Sequence, residues 1–203
     1  MLEIKPFIFG PFETNTYVVS DEEGNVLLVD PACYMPYEQQ QLFAYVESKR
    51  RGSLAIMATH GHLDHLWGAS WACAQWQVPV QIHEADMPMV QAMQQQYDLF
   101  GIRRKAEAFE TKRIQSIEHG IQTDIQIIES PGHTPGSICL YFPNDQTLLS
   151  GDTLFQMGYG RTDLPGGNMG QLIDSLERLF TLPPETKVYP GHGEQTTIGA
   201  ERR

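Results

Sequence analysis

The chain has 203 residues and a formal net charge of −11, with 41% hydrophobic and 19% charged residues. This length allows one domain with a real core, and the composition is globular rather than disordered. The acidic balance argues against a surface that wraps nucleic acid, and no stretch is apolar and long enough to span a bilayer.

The N-terminus shows no basic region followed by an apolar run, so no secretory leader is expected. Helical stretches lack the basic faces of a membrane anchor. Cys33, Cys73 and Cys139 form an odd, widely spaced set without a C-x-x-C pair. Reduced cysteines in a cytoplasmic protein are the expectation.

The first thirty residues read as β structure. Tyr17-Val18-Val19 and Val26 to Val29 are β-prone runs. The turn-like Asp21 to Asn25 separates them, predicting an antiparallel hairpin that ends at Asp30-Pro31. Tyr37 to Arg51 reads as an amphipathic helix, with Leu42, Tyr45 and Val46 on one side and Gly52 as its cap. Leu54 to Thr59 is a short apolar strand. Asp64 to Trp76 is predicted as the next helix, and Val78 to Ile82 as a further strand. Glu84 to Phe100 is predicted helical with a kink near Pro88, followed by a solvated basic patch at Arg103-Arg104-Lys105.

The second half repeats the pattern. Ile125 to Glu129 is a strand leading into Ser130-Pro131-Gly132-His133. Ser137 to Phe142 and Gln146 to Leu149 suggest a hairpin through Pro143-Asn144-Asp145, ending at Gly151-Asp152. Met169 to Phe180 reads as a helix, and Lys187-Val188-Tyr189 leads into Pro190-Gly191-His192. Two β-rich halves with intervening helices predict stacked sheets covered by helices. No linker separates them, so residues 1–203 are expected to form a single domain.

The chemistry concentrates in Thr59-His60-Gly61-His62-Leu63-Asp64-His65. Five of the seven histidines lie in this run or in the two later Pro-Gly-His turns. The spacing H-x-H-x-D-H cannot put all four groups on one helical face, but a turn can spread them over two adjacent metals. Imidazole with carboxylate suits zinc first, and iron and manganese also accept such donors. Gly132 and Gly191 are expected to allow close backbone approach or unusual dihedrals. Asp152, at a strand end, is the natural bridging carboxylate.

These motifs resemble the metallo-β-lactamase superfamily, in particular its glyoxalase II-like (hydroxyacylglutathione hydrolase-like) branch. The resemblance rests on Asp30-Pro31, Thr59 to His65, Pro131 to Ser137, Gly151 to Phe155 and Gly191-His192-Gly193. It implies an α/β fold, the αββα four-layer sandwich. It implies His60, His62 and His133 on one metal, Asp64, His65 and His192 on a second, and Asp152 bridging both. Asp64 and Asp152 are then the catalytic carboxylates, and Asp30 orients ligands without binding metal. The implied reaction is attack of metal-bound hydroxide on a small anionic thioester, with two divalent metals, zinc leading.

The sequence departs from full-length glyoxalase II in two places. Only eleven residues follow His192, so the helical domain that contacts glutathione is expected to be missing. Gly160-Arg161-Thr162-Asp163 replaces the family's Gly-Lys-Phe-Tyr. Arg161 can contact an anionic substrate, or can instead form a buried structural salt bridge with Asp163 or another loop carboxylate. The same four residues resemble persulfide dioxygenases of the superfamily, which hold one iron through the matches to His60, His133 and Asp152. A non-catalytic metal-binding regulatory module is the third reading.

Overall fold

In the computed structural model, residues 2–114 and 120–202 are described. The chain clusters into two compact units, residues 1–122 and 123–203.

The first unit is built on a six-stranded mixed sheet in sequence order. Strands β1 (Glu3–Phe9), β2 (Thr14–Ser20) and β3 (Val26–Val29) form an antiparallel meander. Strands β4 (Leu54–Met57), β5 (Val80–Ile82) and β6 (Thr111–Arg113) continue it in parallel with β3. β2 and β3 are buried along their whole length. Continuous apolar runs such as Val26 to Val29 mark a strand covered on both faces. The core gathers Val18, Leu28, Leu42, Val46, Ile56 and Ile82 with Trp67 and Trp76.

Helix α1 spans Pro36–Lys49. Pro36 sits in its first turn, where a missing N–H costs nothing. The carboxylate of Glu38 reaches back to the backbone N–H groups of Tyr34 (2.6 Å) and Met35 (2.8 Å), closing the helix start as in a capping box. The helix stops earlier than its sequence pattern predicts, and Gly52 is not its cap. Arg50 is already extended, and the Gly24 carbonyl takes the N–H groups of both Arg51 and Gly52.

The predicted helix over 64–76 is broken. Leu63–Leu66 forms a tight 3-10 turn, and α2 runs over Ala69–Trp76. The Gly68 N–H donates to the Pro31 carbonyl at 2.8 Å, outside any helix. The region after Glu84 also divides, into a 3-10 turn (Glu84–Asp86), α3 (Met87–Gln91) and α4 (Met93–Leu99). Pro88 does not kink it, because it lies in the first turn of α3. The break falls at Ala92 (φ −92°, ψ 19°). Arg103 and Lys105 are exposed as expected. Arg104 is half-buried, donates to the Tyr34 carbonyl (3.2 Å) and lies over the Tyr34 ring.

The second unit is built on a five-stranded sheet. Its order is β13 (Thr196–Thr197), β12 (Lys187–Pro190), β9 (Thr147–Gly151), β8 (Ile138–Phe142) and β7 (Gln126–Glu129). β12 and β9 are parallel, and the other pairs are antiparallel. A short hairpin, β10 (Leu154–Phe155) and β11 (Gly158–Tyr159), follows β9. Helix α5 (Met169–Leu179) buries Leu172, Leu176 and Leu179 against Cys139, Leu148 and Val188. Its cap is Asn168, whose side chain accepts the Gln171 N–H, as N-cap residues do. Helix α6 (Ile198–Glu201) closes the unit. The two-residue strands and α6 are too short to show a sequence period. No helix among the described residues is long and apolar enough to cross a membrane.

All three cysteines are free. Burial pushes the Cys33 thiol up to about 12 and the Cys139 thiol up to about 11, and raises that of half-buried Cys73. Only thiolate reacts quickly with disulfide reagents. At pH 8 the folded protein is therefore expected to release no fast thiol signal, with Cys73 reacting slowly. Denaturation should expose three equivalents. Fast native modification of Cys33 or Cys139, mapped by peptide mass, would contradict this packing.

Candidate metal centre

In the first unit, the donor groups leave the carboxyl ends of two parallel neighbours. β3 ends at Val29 and β4 at Met57, and these residues are paired in register. Asp30 therefore emerges beside Ala58 and Thr59, a usual place for a site in a sheet with parallel strands. The Asp30 N–H donates to the Met57 carbonyl, which carries the sheet pairing one step further.

Asp30 is 1% exposed. Its carboxylate accepts the Thr59 N–H (2.7 Å), the Thr59 hydroxyl (2.7 Å) and His65 Nδ1–H (2.8 Å). A carboxylate is an acceptor only, so the His65 proton is on Nδ1 and the Nε2 lone pair is left for a metal. The Thr59 hydroxyl spends its proton on Asp30 and can then only accept. His60 Nδ1 lies 3.1 Å from it and must be the donor. His60 thus also presents Nε2. One buried carboxylate thus sets the tautomer of two imidazoles.

His60, His62, Asp64 and His65 are all buried. The His60 ring centroid lies 4.9 Å from that of His62 and 4.2 Å from that of His65. Asp64 Oδ2 is 3.6 Å from His65 Nε2. The backbone of this loop is held from behind. Asp86 accepts the Gly61 N–H (2.8 Å), while the Gln96 amide accepts the Leu63 N–H and donates to the Gly61 carbonyl, both at 3.0 Å.

In the second unit, β9 and β12 run in parallel with Gly151 paired to Pro190. Asp152 and His192 consequently leave the sheet at one edge. β7, two antiparallel steps from β9, delivers Pro131 to His133 at that edge as well. His133 Nδ1–H donates to the Arg161 carbonyl at 2.7 Å, again presenting Nε2. His133 Nε2 lies 3.4 Å from Asp152 Oδ2, and His192 Nε2 lies 3.6 Å from that same oxygen.

Gly132 has φ +139°, and a Cβ there would strike the backbone of Leu172 in α5. Gly191 is not in the left-handed region, so the unusual dihedral falls instead on Gly193, at φ +74°. Gly160 has a function the sequence did not announce. A Cβ on it would run into the Asp152 carbonyl and lie 3.0 Å from His133 Nδ1.

The donor set fits a divalent metal. Two donors about 2.1 Å from a tetrahedral ion lie about 3.4 Å apart. Asp64 with His65, His133 with Asp152, and His192 with Asp152 all keep close to that separation. Buried imidazoles presenting Nε2 beside carboxylate oxygens suit zinc, iron or manganese.

Arg161 and Asp163 form a bidentate pair, Nε–Oδ1 2.6 Å and Nη2–Oδ2 2.7 Å. Both side chains are exposed, so this is not a buried salt bridge. The guanidinium holds the Asp163 carboxyl down to about 2.

Comparison with known proteins identifies the class. The family pattern described as the metallo-beta-lactamase superfamily matches residues 9–192. The chain belongs to that superfamily, and the fold class is its α/β sandwich. It is 32% identical over 198 residues to "Hydroxyacylglutathione hydrolase GloC" of Haemophilus influenzae, covering 95% of this chain and 91% of that protein. Among solved structures it is similar to TTHA1623 in a di-iron-bound form, with TM-score 0.85, 32% identity and 98% and 97% of the two chains covered. It is also similar to ETHE1 from Myxococcus xanthus, with TM-score 0.74, 29% identity and 99% and 82% covered.

Asp30→Asn tests the shared orienting role. Replacing one carboxylate oxygen by an amide donor disrupts the Thr59 and His65 bonds together. Metal affinity should fall about 10–100-fold, the usual effect of losing an orienting partner, while the far-ultraviolet spectrum stays unchanged. Unaltered metal retention against a competing chelator would contradict the role.

Proposed function

We propose that this chain is a metal-dependent hydrolase of small anionic thioesters, of the hydroxyacylglutathione type, with two metals. In this reading His60, His62 and His133 would hold one ion, Asp64, His65 and His192 would hold the other, and Asp152 would be shared between them. The observation that carries it is the position of Asp152 Oδ2. One oxygen stands at ligand-to-ligand distance from two different imidazoles, 3.4 Å from His133 Nε2 and 3.6 Å from His192 Nε2. That placement suits a carboxylate shared between two ions.

When bound, the metals supply a hydroxide nucleophile near neutral pH and polarise the carbonyl under attack. Asp30 keeps the Nε2 lone pairs of His60 and His65 aimed, and the Arg161 carbonyl does so for His133. A thiolate leaves without acid help, since a thiol pKa is about 8.5, so thioester cleavage needs no further proton donor. Arg161 meets the anionic part of the substrate, which must compete with Asp163 for the guanidinium. The similarity to GloC supports this substrate class.

A second reading is oxygenation of a persulfide at iron. The solved relatives lean toward it, one holding two irons and another being ETHE1, and Gly160 to Asp163 fits it as well. Asp152 serves either reading, as a ligand of one iron or as a carboxylate shared by two metals, so the metal count and the activity decide between them. Metal-free protein loaded separately with zinc and, without oxygen, with ferrous iron separates them. The hydrolase reading expects about two metals per chain and thiol release from S-lactoylglutathione. It is overturned if no thioester turns over and the iron form consumes oxygen with glutathione persulfide. Metal binding with neither activity would indicate a regulatory module. Arg161→Ala should raise KM several-fold with little change in kcat; an unchanged KM returns Arg161 to a purely structural pair.

A further inference from the structure

We infer that Thr14, from the far end of the first hairpin, is a positioning residue that sets how Asp64 binds the second metal. The inference rests on the two-metal reading above. Thr14 is fully buried, and its hydroxyl donates to Asp64 Oδ2 at 2.8 Å across fifty residues of sequence. That oxygen is the one 3.6 Å from His65 Nε2. A carboxylate oxygen has two lone pairs. Thr14 takes one, which leaves the other for the ion and stops the carboxylate from rotating. The hydroxyl also draws charge from the ligand oxygen, so it adjusts the hold on the metal as well as its direction.

The hairpin is built to deliver this hydroxyl. Thr14 pairs with Phe9 at the last rung of β1 and β2, leaving a four-residue turn over Gly10 to Glu13. Glu13 lies in the left-handed region at φ +54°, which is unfavourable for a residue with a Cβ. The Glu13 N–H closes on the Gly10 carbonyl. Glu38, buried at the start of α1, accepts the Gly10 N–H at 3.0 Å and pins the turn from below. Strain held by a buried anchor, next to a candidate ligand, is the pattern of a functional constraint. Helix α1 therefore reaches Asp64 through Glu38, the turn and Thr14.

The test is stepwise zinc binding to metal-free protein, measured by competition with a chromophoric chelator. The wild type should show two steps. Thr14→Val keeps the shape and removes the hydroxyl, so one step should weaken about 10–100-fold while the other is unchanged. Thr14→Ser should restore both steps. Should the valine variant fail to fold, judged by circular dichroism, Thr14→Ala against Thr14→Ser makes the same comparison. Equal weakening of both steps, or no weakening of either, overturns the positioning role. A wild-type ceiling of one zinc overturns the two-metal reading itself and this inference with it.

Discussion

The arrangement of the first unit depends on one buried carboxylate. Removing the charge of Asp30 from water is costly unless donors replace the lost hydration. Thr59 and His65 provide three, and each bond also does structural work. The Thr59 N–H fixes where the loop leaves β4. The Thr59 hydroxyl passes the constraint to His60. The His65 bond aims the ring at the end of the H-x-H-x-D-H run. Asp30 itself sits at φ +52°, left-handed without being glycine, so the backbone is bent to place this side chain. That strain is held because the neighbouring strands β3 and β4 are paired right up to it.

The second unit reaches an equivalent result by different means. His133 is oriented by a backbone carbonyl, that of Arg161. The loop carrying that carbonyl must press against Asp152, and Gly160 makes the approach sterically allowed. Ser130 and Thr153, next to the His133 and Asp152 loops, join through a buried hydroxyl pair at 2.8 Å. Cys139 donates to Ser130 from the strand between them. The cysteine is thus part of the packing that spaces two ligand loops, in keeping with a thiol that burial keeps protonated.

Arg161 joins a contact that orients His133 to an exposed ion pair with Asp163. Arg161 contributes its carbonyl to His133 and its guanidinium to Asp163, so one residue touches the metal centre through its backbone and solvent through its side chain. An exposed ion pair contributes little to stability. In the proposed function, an anionic substrate would have to displace a carboxylate that the guanidinium already holds by two bonds.

The sequence by itself determined the candidate donors. His60, His62, Asp64, His65, His133, Asp152 and His192 are legible because their spacing is local, and each run follows a β-prone segment ending in a turn. The order of the main strands was legible for the same reason, since period and turn residues are short-range signals. Helix ends were less so. Gly52, Gly68 and Pro88 read as a cap, a helix interior and a kink, but hydrogen bonds from Gly24 and Pro31 and the first-turn position of Pro88 decided otherwise. The supporting side chains were invisible. Thr14 meets Asp64 across fifty residues, and Gln96 meets Gly61 across thirty-five. Nothing in the local pattern of a strand threonine or a helix glutamine distinguishes them from ordinary neighbours. Ligand identity is a property of residue type, which sequence carries. Ligand orientation depends on which distant groups the sheet register brings within hydrogen-bond reach, and only the tertiary structure decides that.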